Sequence, residues 1–189
     1  MQSPAISIEP PGVVAPGRSR VLRITSSGGF NLSNLGPEQV TFSPTTGISN
    51  VAISDLSEGG LTLSFDLARD VPAGDRVLTI YANDVSASAN FKVVKISVSP
   101  DRVIAIAGAS RDLRVTSSEG FDLSNVIPAQ VRIAPPDGIA TIAVSNATER
   151  GLTLTLLFTH VDEAPEILRE LMITVNNVRA SARLEVLPT

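Results

Sequence analysis

The chain of 189 residues has no cysteine and no tryptophan, one tyrosine and one histidine. Without cysteine, disulfides, thiolate metal sites and cysteine nucleophiles are all excluded. A Ser-His-Asp system would have to use His160, the only histidine, and no Gly-x-Ser-x-Gly elbow accompanies it. The matching position in the other half of the chain is Arg69, so His160 reads as a polar residue at a strand end. One histidine cannot supply the three or four convergent ligands of a usual zinc site. Basic residues are also scarce: 15 Lys and Arg stand against 19 Asp and Glu, a net charge of −4. That balance counts against a nucleic-acid partner, whose phosphates select for basic faces. No apolar run approaches the about 18 residues of a membrane-spanning helix, so no membrane insertion is expected. Met1-Gln2-Ser3-Pro4-Ala5 has neither a basic segment nor an apolar one of signal type, and the expected setting is a secreted, cell-surface or periplasmic protein whose signal peptide has been removed.

What the chain does have is itself, twice. Ser19-Arg20-Val21-Leu22-Arg23-Ile24-Thr25-Ser26-Ser27 returns as Ser110-Arg111-Asp112-Leu113-Arg114-Val115-Thr116-Ser117-Ser118, 91 residues later. Gly29-Phe30 answers to Gly120-Phe121, Gln39-Val40 to Gln130-Val131, and Gly60-Leu61-Thr62-Leu63 to Gly151-Leu152-Thr153-Leu154. A period this long exceeds those of solenoids, so each copy is a domain, residues 1–94 and 95–189. The stretch Phe91-Lys92-Val93-Val94-Lys95-Ile96-Ser97-Val98 joins them without a Gly or Pro, which predicts a stiff end-to-end pair.

Nearly every apolar segment has period two and is rich in β-branched residues, the pattern of half-buried strands. In the first copy the strands are expected near Ile6–Ile8, Val21–Thr25, Gln39–Phe42, Ile48–Ser54, Leu61–Leu67, Val77–Tyr81 and Ala87–Val93. Shared parity puts Leu22, Ile24, Val40, Phe42, Val51, Ile53, Leu61, Leu63, Phe65, Leu78, Ile80, Ala87, Ala89, Phe91 and Val93 inside, and Arg23, Thr62, Ser64, Thr79 and Ser88 in water. Asn83-Asp84 and Asn176-Asn177 each lie between two such runs, where Asn and Asp tolerate the left-handed backbone of a tight hairpin. About seven short strands with a turn every ten or so residues describe an all-β protein of two tandem immunoglobulin-like Greek-key sandwiches.

Ile6-Ser7-Ile8-Glu9-Pro10, Gly17, Leu22-Arg23-Ile24-Thr25, Gly29-Phe30, Val40-Thr41-Phe42 and Ala73-Gly74-Asp75-Arg76-Val77-Leu78-Thr79-Ile80 together resemble the bacterial IPT/TIG immunoglobulin-like repeat. The resemblance covers both copies and implies a fold, with no catalytic residues and no cofactor. The second copy departs from the pattern: Pro10-Pro11-Gly12 becomes Pro100-Asp101-Arg102, and Ala-Gly-Asp-Arg becomes the longer Glu163-Ala164-Pro165-Glu166-Ile167-Leu168-Arg169-Glu170.

Oxygen ligands alone suffice for calcium, and the candidates are Asp66, Asp70 and Asp75 in one copy and Asp162, Glu163 and Glu166 in the other. None forms an alternating Asp-x-Asp-x-Asp-Gly loop, and they read as solvated loop acids; no metal is expected. Ser26-Ser27-Gly28-Gly29 and its counterpart precede no Lys-Ser or Lys-Thr and read as turns rather than phosphate cradles. Arg20, Arg23, Arg111 and Arg114 recur as a solvated sheet face, and the sequons Asn31-Leu32-Ser33 and Asn146-Ala147-Thr148 are at the frequency of chance. One asymmetry points to recognition. Leu63-Ser64-Phe65-Asp66-Leu67 becomes Leu154-Thr155-Leu156-Leu157-Phe158, which puts Leu157 where Asp66 faced solvent and sets it near Ile167 and Leu168 of the longer loop.

The expected function is a non-catalytic tandem module of a secreted or surface protein of bacterial type, acting as spacer and as a unit of protein–protein interaction or adhesion. Its partner is another protein or a neighbouring domain, and Leu157, Ile167 and Leu168 form the candidate contact surface. The alternative is a carbohydrate-binding accessory module of an extracellular enzyme, although the chain lacks the aromatic platforms of sugar sites. A further alternative, a DNA-contacting domain of TIG type, runs against the acidic balance.

Overall fold

The computed structural model describes residues 3–9, 12–82, 84–134, 136, 138–159 and 168–186. The chain falls into two compact units, Met1–Val94 and Lys95–Thr189. In the first, β1 (Ala5–Glu9), β3 (Gly17–Ser27), β6 (Gly60–Leu67) and β5 (Ile48–Ser54) form one sheet in that order. The second sheet is β2 (Val13–Val14), β8 (Val85–Val93), β7 (Gly74–Ala82) and β4 (Val40–Ser43). The second unit repeats this with β9 (Ile96–Ser99), β11 (Ser110–Ser117), β14 (Gly151–Phe158) and β13 (Ile139–Thr148) in one sheet. Its other sheet is β10 (Arg102–Ala105), β16 (Val178–Val186), β15 (Leu168–Val175) and β12 (Val131–Ala134). Each unit is an immunoglobulin-like sandwich.

Periodicity alone predicts one opening strand per copy, whereas the structure has two. β1 pairs antiparallel with β3 in one sheet, and β2 pairs parallel with β8 in the other. Pro10 and Pro11 carry no N–H for a ladder, and Gly12, at φ 71°, adopts the left-handed turn that leads into the second sheet. The inward residues are the expected ones. Leu22, Ile24, Leu61, Leu63 and Phe65 from one sheet meet Val40, Phe42, Leu78, Ile80, Phe91 and Val93 from the other, while Val51, Ile53 and Ala89 are only partly buried at the margin of this core. Phe42, Phe65 and Phe91 make a ring cluster with centroids 5.2, 6.0 and 6.1 Å apart. The second unit fills the same places with Ile133, Leu156 and Leu184.

The hairpins follow their turn residues. Val175 pairs with Val178, and the two residues between them, Asn176 and Asn177, have φ of 46° and 67°, as a two-residue primed turn requires. In the first unit Ala82 pairs with Val85, and Asp84 has φ 62°. The last hairpin of the second unit lies two residues further along than the 91-residue spacing provides, because the connection before β15 is longer. An insertion of two preserves strand parity, so Leu171 and Ile173 still face inward.

Arg76 explains the Ala-Gly-Asp-Arg motif. It is 5% exposed at the start of β7, donating from Nη2 to the Pro72 carbonyl and from Nη1 to the Asp75 carbonyl, each at 3.1 Å. Many immunoglobulin domains use a tyrosine hydroxyl at this corner to bond the backbone a few residues upstream. Here a guanidinium satisfies two carbonyls instead.

Candidate interaction surfaces

The chemistry-bearing residues are dispersed. Asp66 serves architecture: its carboxylate accepts from the Ser19 backbone N–H and the Asn50 side-chain amide, both at 2.7 Å. Ser19 and Asn50 have φ of 49° and 52°, and each lies at a register shift in a strand flanking β6, so one carboxylate holds two bulges. Hydrogen bonds from Asn50 and then Ser19 keep its pKa below the ordinary value. In the second unit the counterpart Leu157 can accept nothing, and Ser110 pairs with it in regular register. Asp75 lies 3.4 Å from the Lys92 ammonium, and Asp70 is exposed on the loop before β7. Among the described residues no group of three His, Cys, Asp or Glu side chains is placed to hold a metal ion. His160, Asp162, Glu163 and Glu166 lie outside the described residues.

Other motifs also resolve into turns. Asn31 accepts from the Ser33 N–H at 2.8 Å, and Asp122 from the Ser124 N–H at 2.7 Å, the same local turn in both units. The Ser124 bonds lower the Asp122 pKa. Gly28, at φ 69°, passes so close to Ser3 that a Cβ there would fall 2.3 Å from its carbonyl oxygen. Arg23 and Arg114 are exposed on β3 and β11.

The proposed contact trio does not share one sheet. Leu157 is half-buried on the outward side of β14, between Ser110 of β11 and Thr141 of β13. Leu168 begins β15, in the opposite sheet, paired with Glu185. Ile167 lies outside the described residues. An open depression of about 320 Å³ on the first unit is lined by Arg23, Thr25, Asp55, Ser57, Gly60 and Thr62. Its polar groups are engaged locally: the Ser57 hydroxyl donates to the Gly60 carbonyl at 2.9 Å, and Asp55 Oδ2 accepts from Ser54 at 3.3 Å.

Sequence reasoning passed over the outer face of the sheet β2-β8-β7-β4. Three rows cross it: Ser43, Val77 and Asn90; Thr41, Thr79 and Ser88; and Tyr81 with Ser86. None of these residues is charged, and Thr79 and Ser88 hydroxyls meet at 2.8 Å. At one end Val13 lies beside Lys92, whose charge is offset by Asp75. Tyr81 is 50% exposed, Val13 42% and Val77 36%. The corresponding face of the second unit carries Arg132, Glu170, Arg179, Arg183 and Glu185, the last bonded to Arg102 Nε at 2.6 Å. The signal was present in the sequence as a run of outward strand positions without charge, visible once the two copies are compared at matched faces.

No protein-family model and no curated protein sequence matches the chain. Similar solved structures are tandem domains. Domains 5-6 of the S-layer protein SbsC share 16% identity over 98% of this chain and 97% of that one, with a TM-score of 0.33. The titin fragment A168169 shares 13% over 99% and 100%, with a TM-score of 0.34. The titin immunoglobulin tandem A164-A165 shares 11% over all of both chains, with a TM-score of 0.32.

Proposed function

We propose that the chain is a non-catalytic tandem module that acts as spacer and protein-interaction unit in a secreted or cell-surface protein of bacterial type, its repeats being of the IPT/TIG kind. One observation carries this reading: most of what the two repeats hold in common is fold-making, the exposed pair Arg23 and Arg114 apart. The shared positions are inward strand residues such as Leu22 and Leu113, Ile24 and Val115, and Leu63 and Leu154, all buried, and turns such as Asn31 and Asp122. The groups with chemistry differ between copies, as Asp66 and Leu157 do. Duplication of a spacer repeats its scaffold; duplication of an active site would repeat its side chains. At the junction Val94 donates to the Val14 carbonyl within the first unit, and Lys95 exchanges bonds with Ser118 within the second.

Leu157 on the second repeat is a candidate contact for a protein partner or neighbouring domain. Carbohydrate binding is the alternative reading, supported by the hydroxyl-rich outer face around Tyr81. The test is a panel of ester, peptide and glycoside substrates together with a glycan array, using the full chain. No turnover and no glycan retention are expected. Turnover would overturn the non-catalytic reading, and saturable glycan binding would replace protein interaction with sugar recognition.

A further inference from the structure

We propose that the outer faces of β1-β3-β6-β5 and β9-β11-β14-β13 each carry a carboxylate-binding site, built on Arg23 and on Arg114, that takes an acidic segment of a protein partner. The inference rests on the reading of the chain as a protein-interaction unit. It goes further by naming the residues and the chemistry they recognise.

The two repeats agree residue for residue over one patch of outward positions. Ser7, Thr25 and Gly60 form a row across the first sheet, and Arg23, Thr62 and Ser54 lie in the next. The same rows return as Ser97, Thr116 and Gly151, and as Arg114, Thr153 and Ser145. Further along this face the copies part, Val21 answering to Asp112 and Asp66 to Leu157. On the opposite sheet Thr41, Val77 and Asn90 answer to Arg132, Glu170 and Arg183. Packing accounts for the glycines: a Cβ would lie 3.1 Å from the Ile24 carbonyl oxygen at Gly60 and 3.3 Å from that of Val115 at Gly151. It does not account for an arginine. Arg23 and Arg114 are exposed, and neither makes a hydrogen bond or ion pair among the described residues.

The patch coincides with the open depression of about 320 Å³ on the first unit, where Arg23, Thr25 and Thr62 stand around Gly60. Ser57 and Asp55 are bonded locally, whereas the Thr25 and Thr62 hydroxyls have no partner among the described residues. A guanidinium fork with hydroxyl donors beside it matches the two oxygens of a carboxylate. A nucleic-acid backbone asks for a stripe of cations instead, which one arginine per site in a chain of net charge −4 does not supply.

The surroundings rank the two sites. Arg23 has Glu9 beside it in β1 and Asp55 at the rim of the depression, where the second repeat has Ser99 and Asn146. Arg150 stands where Gly59 lines the first depression. Asp112, one row from Arg114, accepts from the Thr155 hydroxyl at 2.6 Å, and Glu58 and Glu149 are common to both repeats. The second repeat therefore opposes an incoming carboxylate less and binds it more tightly.

The experiment titrates the isotope-labelled full chain, followed by amide NMR at low salt, with a peptide alternating Gly and Glu, its Gln counterpart and a single-stranded oligonucleotide. The Glu peptide should shift the amides of Arg114, Thr116 and Thr153 first, and those of Arg23, Thr25 and Thr62 at about threefold higher concentration. The Gln peptide should shift neither set. Arg114→Gln should weaken the second set about tenfold and leave the first, whose signals also report that the chain is folded. Asp55→Asn should tighten the first set, and Arg179→Gln, on the opposite sheet, should change neither. Absence of saturable shifts, equal shifts with the Gln peptide, or native binding by Arg114→Gln overturns the proposal. Tighter binding of the oligonucleotide overturns it in favour of a nucleic-acid partner. The first three failures leave the spacer reading standing, since that reading falls only to turnover or glycan binding.

Discussion

Replacing Phe65 by leucine, its neighbour's residue in the matching place of the second repeat, should destabilise the first unit by about 1–3 kcal/mol. Phe65 is 1% exposed and touches both other rings, Phe42 at 5.2 Å and Phe91 at 6.1 Å, at interplanar angles of 54° and 52°. These are tilted arrangements in which each pair contributes about 0.5–1.5 kcal/mol beyond area burial. Leucine keeps most of the apolar volume and loses both ring contacts; truncation to alanine also opens a cavity and should cost about 3–5 kcal/mol. Tyr81 makes the assay selective, because the chain has one tyrosine and no tryptophan and that tyrosine lies in the first unit. Denaturant unfolding of the full chain followed by tyrosine emission reads the first unit, and Phe65→Leu should lower the midpoint without changing the slope. In thermal unfolding the expected drop is about 4–8 °C per kcal/mol for a domain of this size. A shift below about 0.5 kcal/mol, within the range of surface substitutions, would refute the ring cluster as a source of stability. A loss as large as that of Phe65→Ala would show that the retained volume contributes nothing and that the ring contacts alone decide the site.

Arg76→Met keeps the apolar stem and removes both donors, leaving the Pro72 and Asp75 carbonyls short of partners; a loss of about 1–3 kcal/mol is expected, read by urea denaturation, and a neutral outcome would dismiss the corner. Asp66 has its pKa lowered by folding, so its contribution is present above the unfolded pKa and is lost as pH falls through the folded one. The stability gap between the native chain and Asp66→Leu should therefore be full near neutrality and shrink below about pH 4, in urea titrations at a series of pH values; a gap independent of pH would remove the charge from the argument. Leu157→Asp should cost less than about 1 kcal/mol in the melting curve, because the side chain is half-buried and an outward strand position tolerates polarity; a loss of about 3 kcal/mol would make it core.

The strands of the first repeat were legible in the sequence because a half-buried strand writes its two faces as alternating residues. Leu61, Leu63, Phe65 and Leu67 are buried in β6, while Thr62, Ser64 and Asp66 between them are not. The hairpin at Asn176-Asn177 was equally local, since the turn depends on residues that accept positive φ. The split of the opening strand was not legible from periodicity: Val13-Val14 is too short to show a period, and its assignment depends on a parallel partner in β8 far along the chain.

Function divides along the same line. Composition excludes thiol chemistry and a usual zinc site, because a residue type that is absent cannot be supplied by folding. The placing of the proposed contact residues was not legible, for the opposite reason. Leu157 and Leu168 are close in sequence but belong to strands of different sheets, and strand parity says nothing about which sheet a strand joins. The uncharged face around Thr79 required four strands drawn from distant parts of the repeat to be set side by side. Period and turn chemistry are local and are fixed by the sequence; the neighbours across a sheet are chosen by burial in the finished sandwich, and only the tertiary structure brings Thr41, Thr79 and Ser88 into one row.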